Sequence, residues 1–148
     1  MKLLLDTNFL VAYILPNDTL HEKAVKLEED LNISDMQCYV TNQIIAEVIN
    51  ILGHRDSAEL AKNAFNMMKD SFTCINEYEI PNFNDVTIKK YKQLNQKNGK
   101  LNNKHKIGFT DCSIIVVAKY FALDGVVTFD SGFLNNGTVR IISWFFYS

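Results

Sequence analysis

Four acidic residues of this 148-residue chain stand among apolar neighbours, where a carboxylate is costly unless it is paired or bound to a cation. They are Asp6, Glu47, Asp111 and Asp130. Four carboxylates that met at one place would repel one another strongly, and one or two Mg²⁺ or Mn²⁺ ions would resolve that repulsion. With a phosphodiester as substrate, such a site activates water for hydrolysis and stabilises the leaving oxygen.

Three of the four acids also have an ordinary structural interpretation. Glu47 shares the apolar stripe of a predicted helix with Ile44 and Ile51, and a glutamate at the edge of that stripe can reach solvent. Asp111 lies in the first turn of an apolar helix, where acids complement the helix dipole. Asp130 precedes Ser-Gly and suits an ordinary turn. The four acids together favour a metal site more than any one of them does.

The elements that must position these acids alternate between strand and helix. Leu3 to Leu5 form an apolar run without alternation, which is typical of a strand covered on both faces, and Asp6 follows it. Four further strands are predicted at residues 38–40, 72–80, 125–130 and 139–142. Helices between them favour a parallel sheet with helices on both faces, and ligand sites of such sheets lie at the carboxyl ends of strands. We therefore predict one α/β domain, residues 1–148, with three layers (α/β/α) around a five-stranded parallel sheet.

Capping residues predict several helix boundaries. Thr41 or Asn42 begins a helix that runs to Gly53, and Thr110 caps the last long helix. Asn84 or Asp85 is predicted to cap a helix that carries four apolar side chains. These are Val86, Ile88, Tyr91 and Leu94.

Composition places few limits on function. The net charge of −2 gives no general attraction to nucleic acid or membranes, and 47% hydrophobic residues are ordinary for a globular protein. The three cysteines lack metal-ligand or redox spacing, which favours buried free thiols in a reducing compartment. Asp6 interrupts the first apolar run too early for a signal peptide, and no run reaches transmembrane length. We expect a cytoplasmic protein.

Four segments in order resemble the PIN-domain family of metal-dependent ribonucleases, and most closely its small VapC-like toxins. The segments are residues 4–8, 41–52, 109–113 and 127–133. The resemblance implies a PIN-like five-stranded parallel sheet and an endoribonuclease that needs Mg²⁺ or Mn²⁺. It implies Asp6, Glu47, Asp111 and Asp130 as catalytic metal ligands, with Asp130 able to act through water. It also implies supporting roles for Asn8, Thr110 and Thr128, an antitoxin partner and a homodimer.

Residues 86–110 contain seven lysines and no acid. Such a segment is commonly a solvated surface. The alternative is a phosphate-binding rim for RNA, with Lys100, Lys104 and Lys106 leading towards Asp111 and with Tyr91 and His105 stacking on bases.

Other functions are open to the same residues. Phosphatase chemistry on Asp6 as nucleophile wants a second acid two residues on, where this chain has Asn8. An inactive PIN-like module that binds protein or RNA should have lost at least one of the four acids. A PIN nuclease of RNA processing, rather than a toxin, uses the same site.

Overall fold

A five-stranded parallel sheet forms the centre of the computed structural model, which describes residues 1–97, 100–101, 106–133 and 139–143. Its strands are β1 (Lys2–Leu5), β2 (Gln37–Thr41), β3 (Thr73–Ile75), β6 (Gly125–Val127) and β7 (Ile141–Ile142). Their order across the sheet is β3-β2-β1-β6-β7, and every adjacent pair is parallel. β1 is therefore the middle strand, which explains its uninterrupted leucines. The predicted three-layer α/β/α fold with a five-stranded parallel sheet is confirmed.

Six helices connect these strands. They are α1 (Thr7–Ile14), α2 (His21–Leu31), α3 (Asn42–Arg55), α4 (Ala58–Ser71), α5 (Phe83–Asn95) and α6 (Phe109–Tyr120). A two-stranded antiparallel hairpin, β4 (Gln96–Lys97) with β5 (Lys100–Leu101), follows α5. Single 3₁₀ turns occur at Ile33–Asp35, Glu77–Glu79 and Ser131–Phe133.

Local hydrogen bonds explain where the helices begin. The Thr41 hydroxyl accepts from the backbone N–H of Ile44, as predicted for the start of α3, although that helix runs two residues beyond Gly53. The predicted cap at Thr110 is wrong, because α6 begins at Phe109 and its N-cap is Gly108. The strands predicted at residues 72–80 and 125–130 are too long. The first is β3, which ends before the 3₁₀ turn Glu77–Glu79, and the second is β6, which ends before the 3₁₀ turn Ser131–Phe133. Asp130 therefore stands three residues beyond β6.

Apolar side chains from the sheet and the helices pack into one contiguous core. The interior of α6 is buried on all sides, as its sequence predicts. The cap predicted at Asn84 or Asp85 is wrong, because α5 begins at Phe83 and its N-cap is Asn82. Two of its apolar side chains, Val86 and Ile88, are exposed. Of the cysteines, Cys38 and Cys112 are buried free thiols, but Cys74 is exposed. No helix within the described ranges is long and apolar enough to span a bilayer.

The end of α6 carries a residue in an unfavourable backbone conformation. Ala122 has φ 52°, in the left-handed region that normally selects glycine. Its N–H donates to the carbonyl of Lys119, and the N–H of Leu123 donates to the carbonyl of Ala118. This is the Schellman pattern of helix termination, with alanine at the position where glycine is usual.

Candidate active site

Asp6 lies at the carboxyl end of the middle strand and caps the helix that follows. Its backbone N–H donates to the carbonyl of Val127, which continues the pairing of β1 with β6 by one residue. Its side chain accepts from the backbone N–H of Thr7 at 2.7 Å, and it is only 4% exposed. The predicted position of Asp6 at the sheet edge is therefore the observed one, and its carboxylate is fixed between β1 and α1.

Thr128 joins three of the predicted site residues. Its fully buried hydroxyl donates to Oδ2 of Asp6 at 2.8 Å and accepts from Nδ2 of Asn8 at 3.2 Å. It also accepts from the backbone N–H of Asp130 at 3.0 Å. Asn8 in turn accepts from the backbone N–H of Phe129 at 2.9 Å. Asn8 and Thr128 therefore hold the end of β6 against Asp6.

Glu47 reaches the site from α3 and is held there by a residue that the sequence analysis did not single out. The hydroxyl of Thr7 donates to Oε2 of Glu47 at 2.8 Å. Because Thr7 also supplies the N–H that binds Asp6, one residue connects the two carboxylates. The only signal in the sequence is the position of Thr7 directly after Asp6 at the end of an apolar strand.

Asp111 is the third residue of α6 and is half-buried. Its carboxylate accepts from the backbone N–H of Gly108, the N-cap residue of α6, as the acid of a capping box does. Asp111 therefore also stabilises the start of its helix. Asp130 lies in the loop after β6, where its Oδ1 accepts from the backbone N–H of Gly132 at 2.8 Å. Among the described residues, the Thr110 hydroxyl makes no hydrogen bond to these acids. The carbonyl of Thr110 accepts a hydrogen bond from the hydroxyl of Ser113.

The electrostatics show that these carboxylates act on one another. Burial is the main cause that raises the pKa of Asp6 from 3.8 to about 6, and the charges of Glu47 and Asp130 raise it further. The hydrogen bonds from Thr128 and Thr7 oppose that rise. Burial followed by the charges of Asp6 and Asp130 raises the pKa of Asp111 from 3.8 to about 7. Both acids therefore favour a nearby positive charge near neutral pH.

A cavity of about 380 Å³ lies between three of the four acids. Its lining residues are Asp6, Thr7, Asn8, Val11, Asp18, Thr19, Leu20, Glu47, Ile51, Arg55 and Asp111. Asp130 does not line it, although its charge acts on Asp6 and Asp111. Two lining residues were not among the predicted site residues: Asp18 and Arg55, whose side chains form an ion pair of 2.7 Å at this cavity.

The donor set suits a hard divalent cation, because carboxylate oxygens are the ligands that Mg²⁺ and Mn²⁺ prefer. Over the described ranges, no three His, Cys, Asp or Glu side chains are already grouped so as to ligate one ion directly. Mg²⁺ usually keeps several of its waters and uses one or two protein carboxylates. The residues therefore fit an ion that the acids bind partly through water.

The proposed basic rim is described only in part. Lys104 and His105 lie outside the described residues, and only the backbone of Lys100 is described, in β5. Lys106 is exposed. Its carbonyl oxygen lies beside Gly132, 3.5 Å from the position that a Cβ of residue 132 would occupy. Tyr91 packs against Phe109, with ring centroids 6.4 Å apart.

A buried side chain anchors the segment that carries Lys106. Asn95, only 1% exposed, accepts from the backbone N–H of Ile107 and donates to its carbonyl, both at 2.9 Å. It also donates to the carbonyl of Tyr91 at 2.8 Å. The chain before α6 is therefore fixed to the last turn of α5, which places Lys106 next to the loop of Asp130.

Comparisons with known proteins agree with the fold described above. The sequence model of the PIN domain matches residues 3–138. Among solved structures, the chain is similar to Mycobacterium tuberculosis VapC20, described as a toxin that cleaves the sarcin–ricin loop, with a TM-score of 0.68 and 16% identity over 93% of this chain and 97% of that one. It is also similar to VapBC2 from Rickettsia felis, solved bound to a DNA fragment from its promoter, with a TM-score of 0.67 and 14% identity over 97% and 99%.

A third similar structure is FitAcB from Neisseria gonorrhoeae, with a TM-score of 0.63 and 17% identity over 97% of this chain and 98% of that one. At these identities the structures establish the shared fold. A search of curated proteins gives no significant match.

Proposed function

This chain belongs to the PIN domain family, and we propose that it is an endoribonuclease that depends on Mg²⁺ or Mn²⁺. Proteins of this family are generally nucleases. The observation that carries the proposal is the cavity lined by Asp6, Glu47 and Asp111 at the carboxyl end of the middle strand, with the charge of Asp130 beside it. The ion, when bound, activates water for attack on a phosphodiester and stabilises the leaving oxygen.

The residues of the chain prepare this chemistry. Thr128 and Thr7 fix the Asp6 carboxylate by hydrogen bonds to its two oxygens, so that its orientation does not depend on the ion. Thr7 fixes Glu47 in the same way. Because two of the acids are costly to ionise, binding of a cation is coupled to release of their protons. Metal affinity is then expected to increase as the pH rises from 6 to 8.

The substrate and partners follow from the same proposal. The exposed Lys106, anchored next to the loop of Asp130, supports an RNA-binding rim that includes Lys100 and Lys104. The likeness to a toxin that cleaves RNA supports the role of toxin in a cytoplasmic toxin–antitoxin pair, with an antitoxin partner and a homodimeric protein as further parts of the proposal. A PIN nuclease of RNA processing is the second candidate.

Cleavage of total cellular RNA by the purified protein tests the proposal. With Mg²⁺ or Mn²⁺ we expect discrete fragments, which EDTA and Asp6→Asn abolish. Asp70→Asn, which removes an exposed acid of α4, should cleave as wild type does. Intact RNA under every condition, together with no metal binding by calorimetry, would instead support an inactive binding module.

The rim has its own measurement. Replacement of Lys100, Lys104 and Lys106 by glutamine should weaken RNA binding and reduce its salt dependence. Unchanged affinity and salt slope would remove these three lysines from the proposal without affecting the acids.

A further inference from the structure

Arg55 is the only cationic side chain among the described residues that line the acidic cavity. The acids that line the same space are Asp6, Asp18, Glu47 and Asp111, so a guanidinium there is conspicuous. A cation that served only to neutralise the metal-binding acids would be expected to contact them directly. Arg55 instead bonds Asp18, which belongs to the turn between α1 and α2.

The position of Arg55 on α3 fixes its distance from the acids. Glu47, Ile51 and Arg55 are four residues apart in succession and all line the cavity, so they share one face of the helix. Eight residues of helix correspond to about 12 Å along its axis. Arg55 is therefore two turns from Glu47, too far for both side chains to serve the same phosphate, yet on the same wall.

Asp18 holds the guanidinium in a defined place. Its Oδ2 accepts from Nη1 of Arg55 at 2.7 Å, and its Oδ1 accepts from the backbone N–H of Leu20 at 2.9 Å. The Asp18 side chain is 14% exposed, whereas that of Arg55 is 37% exposed. The bond to Asp18 uses one of the five N–H donors of arginine, and the fork of a guanidinium suits phosphate oxygens.

We propose that Arg55 binds a backbone phosphate of the RNA strand next to the scissile one, and that Asp18 is the residue that positions it. The proposal rests on the nuclease function above and adds the residue that holds the flanking strand. One end of the cavity wall binds the cation and the scissile phosphate. The other end supplies the positive charge that a neighbouring phosphate needs, because the acids alone would repel it.

A purely structural role makes different predictions. The pair could simply tie the α1–α2 turn to the end of α3, where a basic residue also complements the helix dipole. In that case Arg55 and Asp18 would matter equally for thermal stability, and neither would change how RNA binding responds to salt.

The experiment compares Arg55→Gln, Arg55→Lys and Asp18→Asn with Lys69→Gln, an exposed lysine of α4 that does not line the cavity. Steady-state cleavage gives KM and kcat on an oligonucleotide that contains a mapped cleavage site. Fluorescence anisotropy gives Kd for a labelled single-stranded RNA of 20 nucleotides and mixed sequence, in Mg²⁺ at several salt concentrations. In this binding assay every protein also carries Asp6→Asn, which prevents cleavage. Melting temperatures are recorded for all proteins.

For Arg55→Gln we expect KM and Kd to rise about five- to twenty-fold and kcat to change less than about threefold. The slope of log K against log salt should decrease in magnitude by about 0.7, which is the value for one phosphate contact on a single strand. Arg55→Lys should restore the slope. Asp18→Asn should raise Kd while it keeps the slope, and Lys69→Gln should match wild type.

Two results would overturn the assignment: a wild-type slope and Kd in Arg55→Gln, or equal losses of melting temperature in Arg55→Gln and Asp18→Asn with no change of slope. Failure of the nuclease proposal is recognised separately, because wild-type protein would then leave RNA intact. A changed slope in Arg55→Gln would in that case still identify an RNA contact.

Discussion

Removal of the Asp6 charge should stabilise the metal-free protein while it abolishes cleavage. The pKa of Asp6 is raised from 3.8 to about 6, mainly by burial, so the ionised carboxylate costs the folded state about 3 kcal/mol above that pKa. In Asp6→Asn the amide oxygen still accepts from the N–H of Thr7, but an amide nitrogen replaces the acceptor of the Thr128 hydroxyl, which costs about 1 kcal/mol. The variant should therefore be more stable by about 2 kcal/mol at pH 7.5.

The pH dependence gives the sign of this effect. Because the folded protein holds the Asp6 proton to a higher pH than the unfolded chain does, wild type loses stability as the pH rises from about 4 to about 6. Asp6→Asn lacks that loss. The lost Thr128 hydrogen bond should therefore leave Asp6→Asn less stable by about 1 kcal/mol below pH 4, and the avoided charge should make it more stable by about 2 kcal/mol near pH 7.

Urea unfolding followed by far-ultraviolet circular dichroism measures the difference in EDTA at pH 4.5 and 7.5. Asp70→Asn, which removes an exposed acid of α4, is the matched control and should show no change at either pH. Added Mg²⁺ should stabilise wild type more than Asp6→Asn, because an ion that binds only the folded protein stabilises it. The reasoning is refuted if Asp6→Asn is no more stable than wild type at pH 7.5, or if the gain is the same at both pH values.

Three further substitutions test other contacts. Thr128→Val removes the hydroxyl that binds Asp6 and Asn8, so stability should fall by about 1–3 kcal/mol in urea and cleavage by about tenfold or more, whereas Thr128→Ser should retain both. Asn95→Ala removes three buried hydrogen bonds and should cost about 3 kcal/mol in urea unfolding, and an unchanged midpoint would contradict the anchoring of the segment before α6. Ala122→Gly relieves the left-handed alanine at the end of α6 and should raise the melting temperature by about 3 °C in a thermal scan, whereas a decrease would contradict the strain.

The sequence was sufficient for the fold because its signals are local. The continuous leucines of β1 reflect burial on both faces, and the Thr41 cap is a contact between near neighbours in the chain. The acids could be predicted because a carboxylate in an apolar run is conspicuous wherever the chain folds. Asp6 and Asp130 come near one another because β1 and β6, the strands before them, are parallel neighbours.

The errors occur where a distant partner decides the structure. In α5, which packs against α6, Thr87 is buried while Val86 and Ile88 are exposed, so the apolar residues of the sequence do not mark the buried face. Thr7 and Arg55 were missed because their partners, Glu47 and Asp18, are about 40 residues away in the chain. The spacing of Glu47, Ile51 and Arg55 was available in the sequence, but only the cavity shows that it matters.

The hydrogen bond from Thr128 to Asp6 also has a consequence for the order in which the site is assembled during synthesis. It joins positions 122 residues apart, and β1 has β6 as one of its two neighbours in the sheet. A nascent chain that ends before β6 lacks Thr128. One of the two hydrogen bonds that orient the Asp6 carboxylate is then missing. The Asp6 carboxylate is therefore fully oriented only after the chain has been synthesised as far as Thr128, long after Asp6 itself.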